Sequence, residues 1–156
     1  MLTANQLSDW VLLVAMNRRI EDMTNLKLQK LLYYCQAWHL VFTDKELFDD
    51  RIEAWVHGPV IPSVFHRFRQ YRWGTLPINE HADVPELSDA SYPIKDHVES
   101  VLNAYAHLNG RELETLTHGE DPWRDARRGL PCDQPSTSEI SWASMRNYYR
   151  ARVTVQ

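Results

Sequence analysis

The most regular pattern of apolar residues in the chain covers residues 24–42. On a helical wheel, one broad face of this segment holds Leu28, Leu31, Leu32, Cys35, Trp38 and Phe42. The opposite side is also largely apolar, and only two narrow polar arcs remain: Gln29 with Gln36, and Lys27 with Lys30. A helix that is apolar almost all round is enclosed by its neighbours. The pattern therefore predicts the central helix of the domain, with Trp38 buried.

Helix caps are recognisable near both ends of the chain. Thr3 and Gln6 have the spacing of a capping box, and apolar residues follow them at helical intervals. A last helix is predicted to begin near Ser141, where Ile140 and Met145 have the spacing of a hydrophobic staple. These residues predict one helix at the start of the domain and one at its end.

Three further helical patterns lie in the second half of the chain. Apolar residues between positions 94 and 108 repeat at helical spacing, and we expect that helix to stop at Gly110. Two short helices are predicted over residues 112–117 and 123–128. Pro122 is placed in the first turn of the second one, and Asp121 is its predicted cap.

A stretch in the first half of the chain changes from alternation to helical spacing within three residues. Residues 47–48 and 52–56, separated by two aspartates, predict a small β-hairpin. Residues 60–71 then repeat as in a helix. The three residues between these patterns are His57, Gly58 and Pro59. We interpret Gly58 as the bend and Pro59 as a residue of the first helical turn.

Together these elements predict a mainly α-helical fold: a single compact domain over residues 1–156 around the central helix, with one small hairpin. A chain of 156 residues is long enough for one hydrophobic core and too short for two comfortable domains. Residues 73–93 contain three prolines and scattered acidic residues, which predict a loop.

Composition and charge narrow the possible functions. Hydrophobic residues make up 44% of the chain and aromatic residues 11%, as in folded proteins. The net charge of −4, from 17 basic and 21 acidic residues, disfavours general binding to a phosphate backbone. The apolar run at residues 10–16 is too short to cross a bilayer and lacks the flanks of a signal peptide. We therefore expect no membrane partner, no direct DNA binding and a cytoplasmic location.

The residues offer little material for catalysis or for a cofactor. No two of the seven histidines stand three or four positions apart, so a helical metal pair is not predicted. The sequence has no nucleophile elbow, phosphate loop or dinucleotide fingerprint. We expect no catalytic, metal or cofactor-binding residues. One enzyme hypothesis stays open, in which His57, His118 and Glu120 act together.

Four sequence blocks resemble the signature blocks of the Panacea domain family. They are "LKLQKLLYYCQAWHL", "ELFDDRIEAWVHGPVIPSVF", "ELETLTHGEDPWRDAR" and "ISWASMRNYY". The blocks occur in the family's order and span nearly the whole chain. That family includes bacterial and phage antitoxins and the SocA-type protease adaptor. Some of its members add a helix-turn-helix segment, for which this chain has no room.

The resemblance implies a helical antitoxin domain that neutralises a cognate toxin by direct protein–protein binding. The alternative within the family is an adaptor that delivers a toxin to an ATP-dependent protease. The family is not known for catalysis, which agrees with the residues, and the resemblance therefore implies that the chain is not an enzyme. The residues that we assign to the structural motif are Gly58, Pro59, Thr117, His118, Pro122 and Trp123.

For the partner-binding surface we expect the corner at Trp55 and His57 and the neighbouring helix with Arg67 and Arg69. His57 has two possible roles, either shaping the corner or touching the partner, and the sequence does not separate them.

Overall fold

Seven α-helices and one two-stranded antiparallel sheet make up the part of the chain that the computed structural model describes, residues 2–77 and 94–153. In chain order the elements are α1 (Ala4–Asn17), α2 (Asn25–Thr43), β1 (Glu53–Trp55), β2 (Gly58–Val60), α3 (Pro62–Phe68), a short 3-10 helix (Arg69–Tyr71), α4 (Ile94–Tyr105), α5 (Gly110–His118), α6 (Asp121–Ala126) and α7 (Trp142–Arg150). The prediction of a mainly α-helical fold with one small hairpin is confirmed. Most of the loop predicted over residues 73–93 lies outside the described residues.

The centre of the fold is α2, as the apolar pattern predicts. Its cap is Thr24, whose side chain accepts a hydrogen bond from the backbone N–H of Lys27. Fourteen of its nineteen residues are buried, and it packs against α1, α3, α4, α5, α7 and β2. This arrangement makes α2 the element that positions nearly all the others.

Two aromatic residues on the broad face of α2 are more exposed than predicted. Trp38 is only half-buried, and Phe42 has 56% of its surface exposed. Their rings stack at 5.9 Å beside a shallow groove between α2 and α4, which leaves one side open to solvent. The indole N–H of Trp38 donates to the hydroxyl of Tyr105 at 2.9 Å. The prediction that Trp38 is buried is therefore wrong, because α4 covers only part of its ring.

The two glutamines of α2 are also buried, and backbone groups of other segments replace water as their partners. Gln29 Oε1 accepts the backbone N–H of Ile61 at 2.9 Å. Gln36 Oε1 accepts the N–H of Leu47 at 2.7 Å, and its amide nitrogen donates to the carbonyl of Phe48 at 2.6 Å. Gln29 thereby satisfies the backbone at the cap of α3, and Gln36 satisfies the backbone of residues 47–48, which have no regular structure.

The hairpin exists, but its position differs from the prediction. Its strands are β1 and β2, in the register Glu53↔Val60, Ala54↔Pro59 and Trp55↔Gly58, with residues 56–57 as the turn. Residues 47–48 form no strand, because Gln36 already holds their backbone.

The helix after the hairpin begins later than predicted. Gly58 has a φ of +101°, which lets the chain reverse directly into β2. Pro59 therefore lies in a strand, and the proline of the first helical turn is Pro62, three residues later. By sequence, either Pro59 or Pro62 could occupy the first turn of the helix. The positive φ of Gly58 directs Pro59 into β2 and leaves that position to Pro62.

Two boundaries in the second half also differ from the predictions. The fourth helix ends at Tyr105, and Gly110 opens α5 instead of stopping α4. Asn109 caps α5 in a capping box with Glu112. At the start of α6 the cap position is Glu120, and Asp121 is the first helical residue. Glu120 makes no cap hydrogen bond, because its carboxylate is turned towards the core.

The caps predicted at the two ends of the domain are confirmed. Thr3 and Gln6 form the capping box of α1, and Ser141 caps α7. Pro122 lies in the first turn of α6, as predicted. Within residues 2–77 and 94–153, no helix has both the length and the apolar character needed to cross a membrane.

Candidate functional site

The hairpin is held in place by side chains from the end of α5 and from α6 and its C-cap. Three consecutive backbone carbonyls, at residues 54–56, each accept a hydrogen bond from a different side chain. Arg127 donates to the first at 3.0 Å, the indole of Trp123 to the second at 2.7 Å, and Nε2 of His118 to the third at 2.8 Å. We call this set of three donors the hairpin brace. It satisfies two carbonyls at the end of β1 and one in the turn, and it fixes the turn relative to α5 and α6.

The three donors of the brace also pack on one another. The ring of His118 stacks on Trp123 with centroids 4.0 Å apart and an interplanar angle of 16°. The guanidinium carbon of Arg127 lies 4.7 Å from the centre of the Trp123 ring. Trp123 is 2% exposed, and burial lowers the pKa of His118. His118 is therefore neutral at pH 7 and acts here as a hydrogen-bond donor inside the structure.

Gly58 is required by the space around it as well as by its φ. A Cβ on this residue would lie 2.7 Å from Cε of Lys30 and 2.8 Å from Oγ1 of Thr117. The Thr117 hydroxyl donates to the carbonyl of Glu114 at 2.8 Å, which fixes its position. Gly58 and Thr117 thus allow the hairpin to approach α5 closely over the buried side chain of Lys30.

His57 projects from the tip of the hairpin. More than half of its side chain is exposed, and its Nδ1 lies 2.5 Å from a carboxylate oxygen of Glu114 on α5. Its ring meets the ring of Trp73 edge-on, with centroids 5.7 Å apart. Trp73 has 70% of its surface exposed, the largest fraction among the exposed large hydrophobic residues that the structure describes. The two rings form an exposed aromatic corner on a rigid support.

The four residues predicted to bind a partner fall into two groups. Trp55, His57 and Arg69 line the same cavity, between α2, the hairpin and α3. Arg67 lies elsewhere: its guanidinium contacts Asp9 at 2.5 Å and the carbonyl of Asn5 at 3.2 Å. Arg67 therefore joins α3 to α1, which is a structural use of its charge.

The cavity has a volume of about 390 Å³ and contains basic and aromatic side chains. Its aromatic walls come from Trp55, Phe65 and Trp73, and Trp55 meets Phe65 edge-on at 4.9 Å. Three cationic side chains line it as well: Lys30, Arg69 and Arg72. The part of the lining that the structure describes contains no acidic residue.

Lys30 is the most unusual group of this cavity. It is 0% exposed, and its Nζ has no hydrogen-bond partner among the described residues. Burial lowers its pKa to about 7, and the negative charge of Glu114 partly opposes that shift. In the sequence Lys30 lies in a narrow polar arc of the helix and nothing marks it as a functional residue, because helical periodicity does not reveal what covers an arc.

Glu120 belongs to a second buried cluster that the sequence did not reveal. Its Oε1 accepts the hydroxyls of Tyr34 at 2.6 Å and Tyr149 at 2.9 Å, and Tyr33 lies 3.0 Å from Tyr149 through its own hydroxyl. Burial raises the pKa of Glu120, while the two tyrosine hydrogen bonds lower it. The cluster ties the start of α6 to α2 and α7.

The residues of the enzyme hypothesis occupy separate environments. His57 contacts Glu114, His118 donates to a backbone carbonyl, and Glu120 binds two tyrosines. No hydrogen bond joins any two of these three described residues. Across residues 2–77 and 94–153, no group of three or more His, Cys, Asp or Glu side chains is placed to hold a metal ion.

Comparison with known proteins identifies the family. The sequence model described as "Antitoxin SocA-like, Panacea domain" matches residues 28–124, which is more than half of the chain. The matched range contains most of α2, the hairpin, α5 and the first residues of α6, and so includes most of the residues around the cavity. No curated protein and no solved structure matches this chain.

Proposed function

Because the chain belongs to the SocA-like antitoxin family with a Panacea domain, we propose that it is an antitoxin which neutralises a cognate toxin protein by binding it directly. The observation that carries this proposal is the family match over residues 28–124. In this proposal the chain acts in the cytoplasm as one domain, needs no cofactor and has no catalytic activity.

The use of the polar motif residues supports a binding role. The close approach of the hairpin to α5 and its support depend on Thr117, His118 and Trp123. A rigid support with exposed side chains at its tip is the arrangement expected of a recognition surface. The tip presents His57, the ring of Trp73 from the segment after the 3-10 helix lies against it, and Arg69 lies nearby at the cavity. Aromatic and Arg side chains carry most of the binding energy at protein interfaces.

We place the toxin-binding surface at the corner formed by Trp55, His57, Arg69 and Trp73. Arg67 is a weaker candidate because its guanidinium is already held by α1. His57 then has both roles considered for it, since its backbone belongs to the turn while its imidazole faces solvent. A specific complex should bury about 1,000 Å² or more in total, which requires surface around the corner as well.

The test titrates purified chain against the protein encoded by the neighbouring gene, without any protease. Toxin activity should fall linearly and reach zero at one equivalent, provided that concentrations exceed the dissociation constant. His57→Ala and Arg69→Ala should each weaken binding about tenfold or more. Lys45→Ala is the matched control, since Lys45 is exposed at the far end of α2.

Two outcomes would redirect the proposal. Toxin that stays active at one equivalent, but disappears when an ATP-dependent protease and ATP are added, identifies the chain as an adaptor. Complete inactivation by a small fraction of one equivalent identifies an enzyme and overturns the binding mechanism. A mixture that never forms a complex would overturn the antitoxin assignment for that partner.

A further inference from the structure

A buried lysine without a partner is an unfavourable feature in a folded protein. Removing an ammonium group from water carries a large free-energy penalty unless a charge or hydrogen bonds compensate it. Lys27, one turn earlier on α2, shows the usual solution: its Nζ binds Asp22 at 2.8 Å and the carbonyl of Ala106 at 2.6 Å. Lys30 is as deeply buried and has no such partner among the described residues.

The position of Lys30 relates this missing partner to the cavity. Its side chain lines the cavity and passes beneath Gly58, where its Cε would meet a Cβ. The negative charge of Glu114 acts on Lys30, but its carboxylate is in contact with His57 at 2.5 Å. The ammonium end of Lys30 is shielded from water and has no hydrogen-bond partner among the described residues, so an anion that reached it from the cavity side would supply its missing counter-charge.

The other cationic residues of the cavity favour the same kind of ligand. Arg69 and Arg72 line it and form no ion pair within the part of the chain that the structure describes. Arg72 has a φ of +51° and a ψ of −118°, a backbone conformation usually taken by glycine. Such strain persists when surrounding structure imposes it, and it concentrates at ligand-binding positions.

We propose that this cavity is a carboxylate site, in which Lys30 pairs with a carboxylate that the protein partner presents beside an apolar or aromatic side chain. The apolar part of the ligand packs between Trp55, Phe65 and Trp73, and the carboxylate reaches Lys30 with Arg69 and Arg72 at the rim. A volume of about 390 Å³ accommodates one large side chain and a carboxylate. The statement that a protein partner supplies the carboxylate rests on the proposed function.

The first experiment tests the site without the partner. N-acetyl-phenylalanine and its uncharged amide are titrated into the full chain, and the indole N–H resonances of Trp55 and Trp73 are followed by NMR. Since a hydrogen bond to a charged group contributes about 1.5–3 kcal/mol, the acid should bind about tenfold or more tightly than the amide. Equal affinity for acid and amide, or no binding of either, would overturn the proposal.

Variants then assign the preference to Lys30. Lys30→Met keeps an unbranched side chain that ends at the position of the lysine Cε and removes the charge, so the acid and the amide should bind within about twofold of each other. Lys45→Met, at an exposed lysine outside the cavity, should preserve the wild-type preference. A Lys30→Met protein that is folded by circular dichroism and still prefers the acid would show that the assignment to Lys30 is wrong.

The second experiment separates this site from the antitoxin function. Lys30→Met should weaken the complex with the toxin about tenfold, and saturating N-acetyl-phenylalanine should compete with the toxin. Normal toxin binding by Lys30→Met and no competition would overturn the carboxylate proposal and leave the antitoxin function intact. If no toxin binds the wild-type chain but the acid preference is present, the antitoxin function fails and the carboxylate site is supported.

Discussion

Lys30→Met should stabilise the protein at neutral pH, because it removes an ammonium group that folding buries without a partner. The pKa of Lys30 falls to about 7 in the folded chain, whereas a lysine in an unfolded chain has a pKa of about 10.4. Well below pH 7 Lys30 is protonated in both the folded and the unfolded state, and the folded state bears the full penalty. Each pKa unit of difference corresponds to about 1.4 kcal/mol, so that penalty is about 5 kcal/mol.

The sign of the pH dependence follows from proton binding. Between pH 7 and 10 the unfolded chain holds more protons on Lys30 than the folded chain, so wild-type stability rises with pH in this window. Over pH 7 to 9 the contribution of Lys30 amounts to about 2 kcal/mol. The stability advantage of Lys30→Met over wild type should therefore shrink by about 2 kcal/mol across the same range.

Comparing the two proteins removes the contributions of other groups. Burial raises the pKa of Cys35 to about 12 and the pKa of Tyr33 above its ordinary value, which lowers stability at high pH in both proteins. The assay is urea unfolding of wild type and variant at pH 6, 7, 8 and 9, with the free energy of unfolding taken by linear extrapolation. A difference between the two proteins that stays constant across these pH values would refute the reasoning.

Two further changes test the support of the hairpin and of the core. Gly58→Ala should lower the free energy of unfolding by about 2 kcal/mol or more in urea titrations, since a positive φ and two short contacts oppose a Cβ. Full stability with reduced toxin binding would instead place this residue in the interface. Tyr149→Phe should cost about 2 kcal/mol, because it removes one of two hydroxyl donors from the buried carboxylate of Glu120. Unchanged melting of this variant would show that water replaces the lost donor.

Local patterns predicted the helices well where their ends are encoded by neighbouring residues. Thr3 and Ser141 are caps whose partners lie three residues away, so a short window of sequence contains the whole interaction. The central position of α2 follows from apolar residues around its whole circumference. Interactions of this kind depend on spacing within one helix and need no knowledge of the fold.

The predictions were wrong where a distant contact decides the local structure. Gln36 holds residues 47–48 out of a strand, and the φ of Gly58 puts Pro59 in β2. The site depends even more on residues that are far apart in the sequence. Arg127 donates to the carbonyl of Ala54, seventy-three positions earlier, and Glu114 contacts His57, fifty-seven positions earlier. The burial of Lys30 could not be predicted for the same reason, since it results from the packing of the hairpin over this side chain.

The hairpin brace binds main-chain carbonyls, which every amino acid possesses. Replacing the side chains of residues 54–56 therefore leaves the acceptors of Arg127, Trp123 and His118 in place. The identity of the residues at the turn and the rigidity of their support are, to that extent, independent properties of the molecule. Variation at Trp55 and His57 can change the chemistry of the corner while the same three donors continue to hold its backbone.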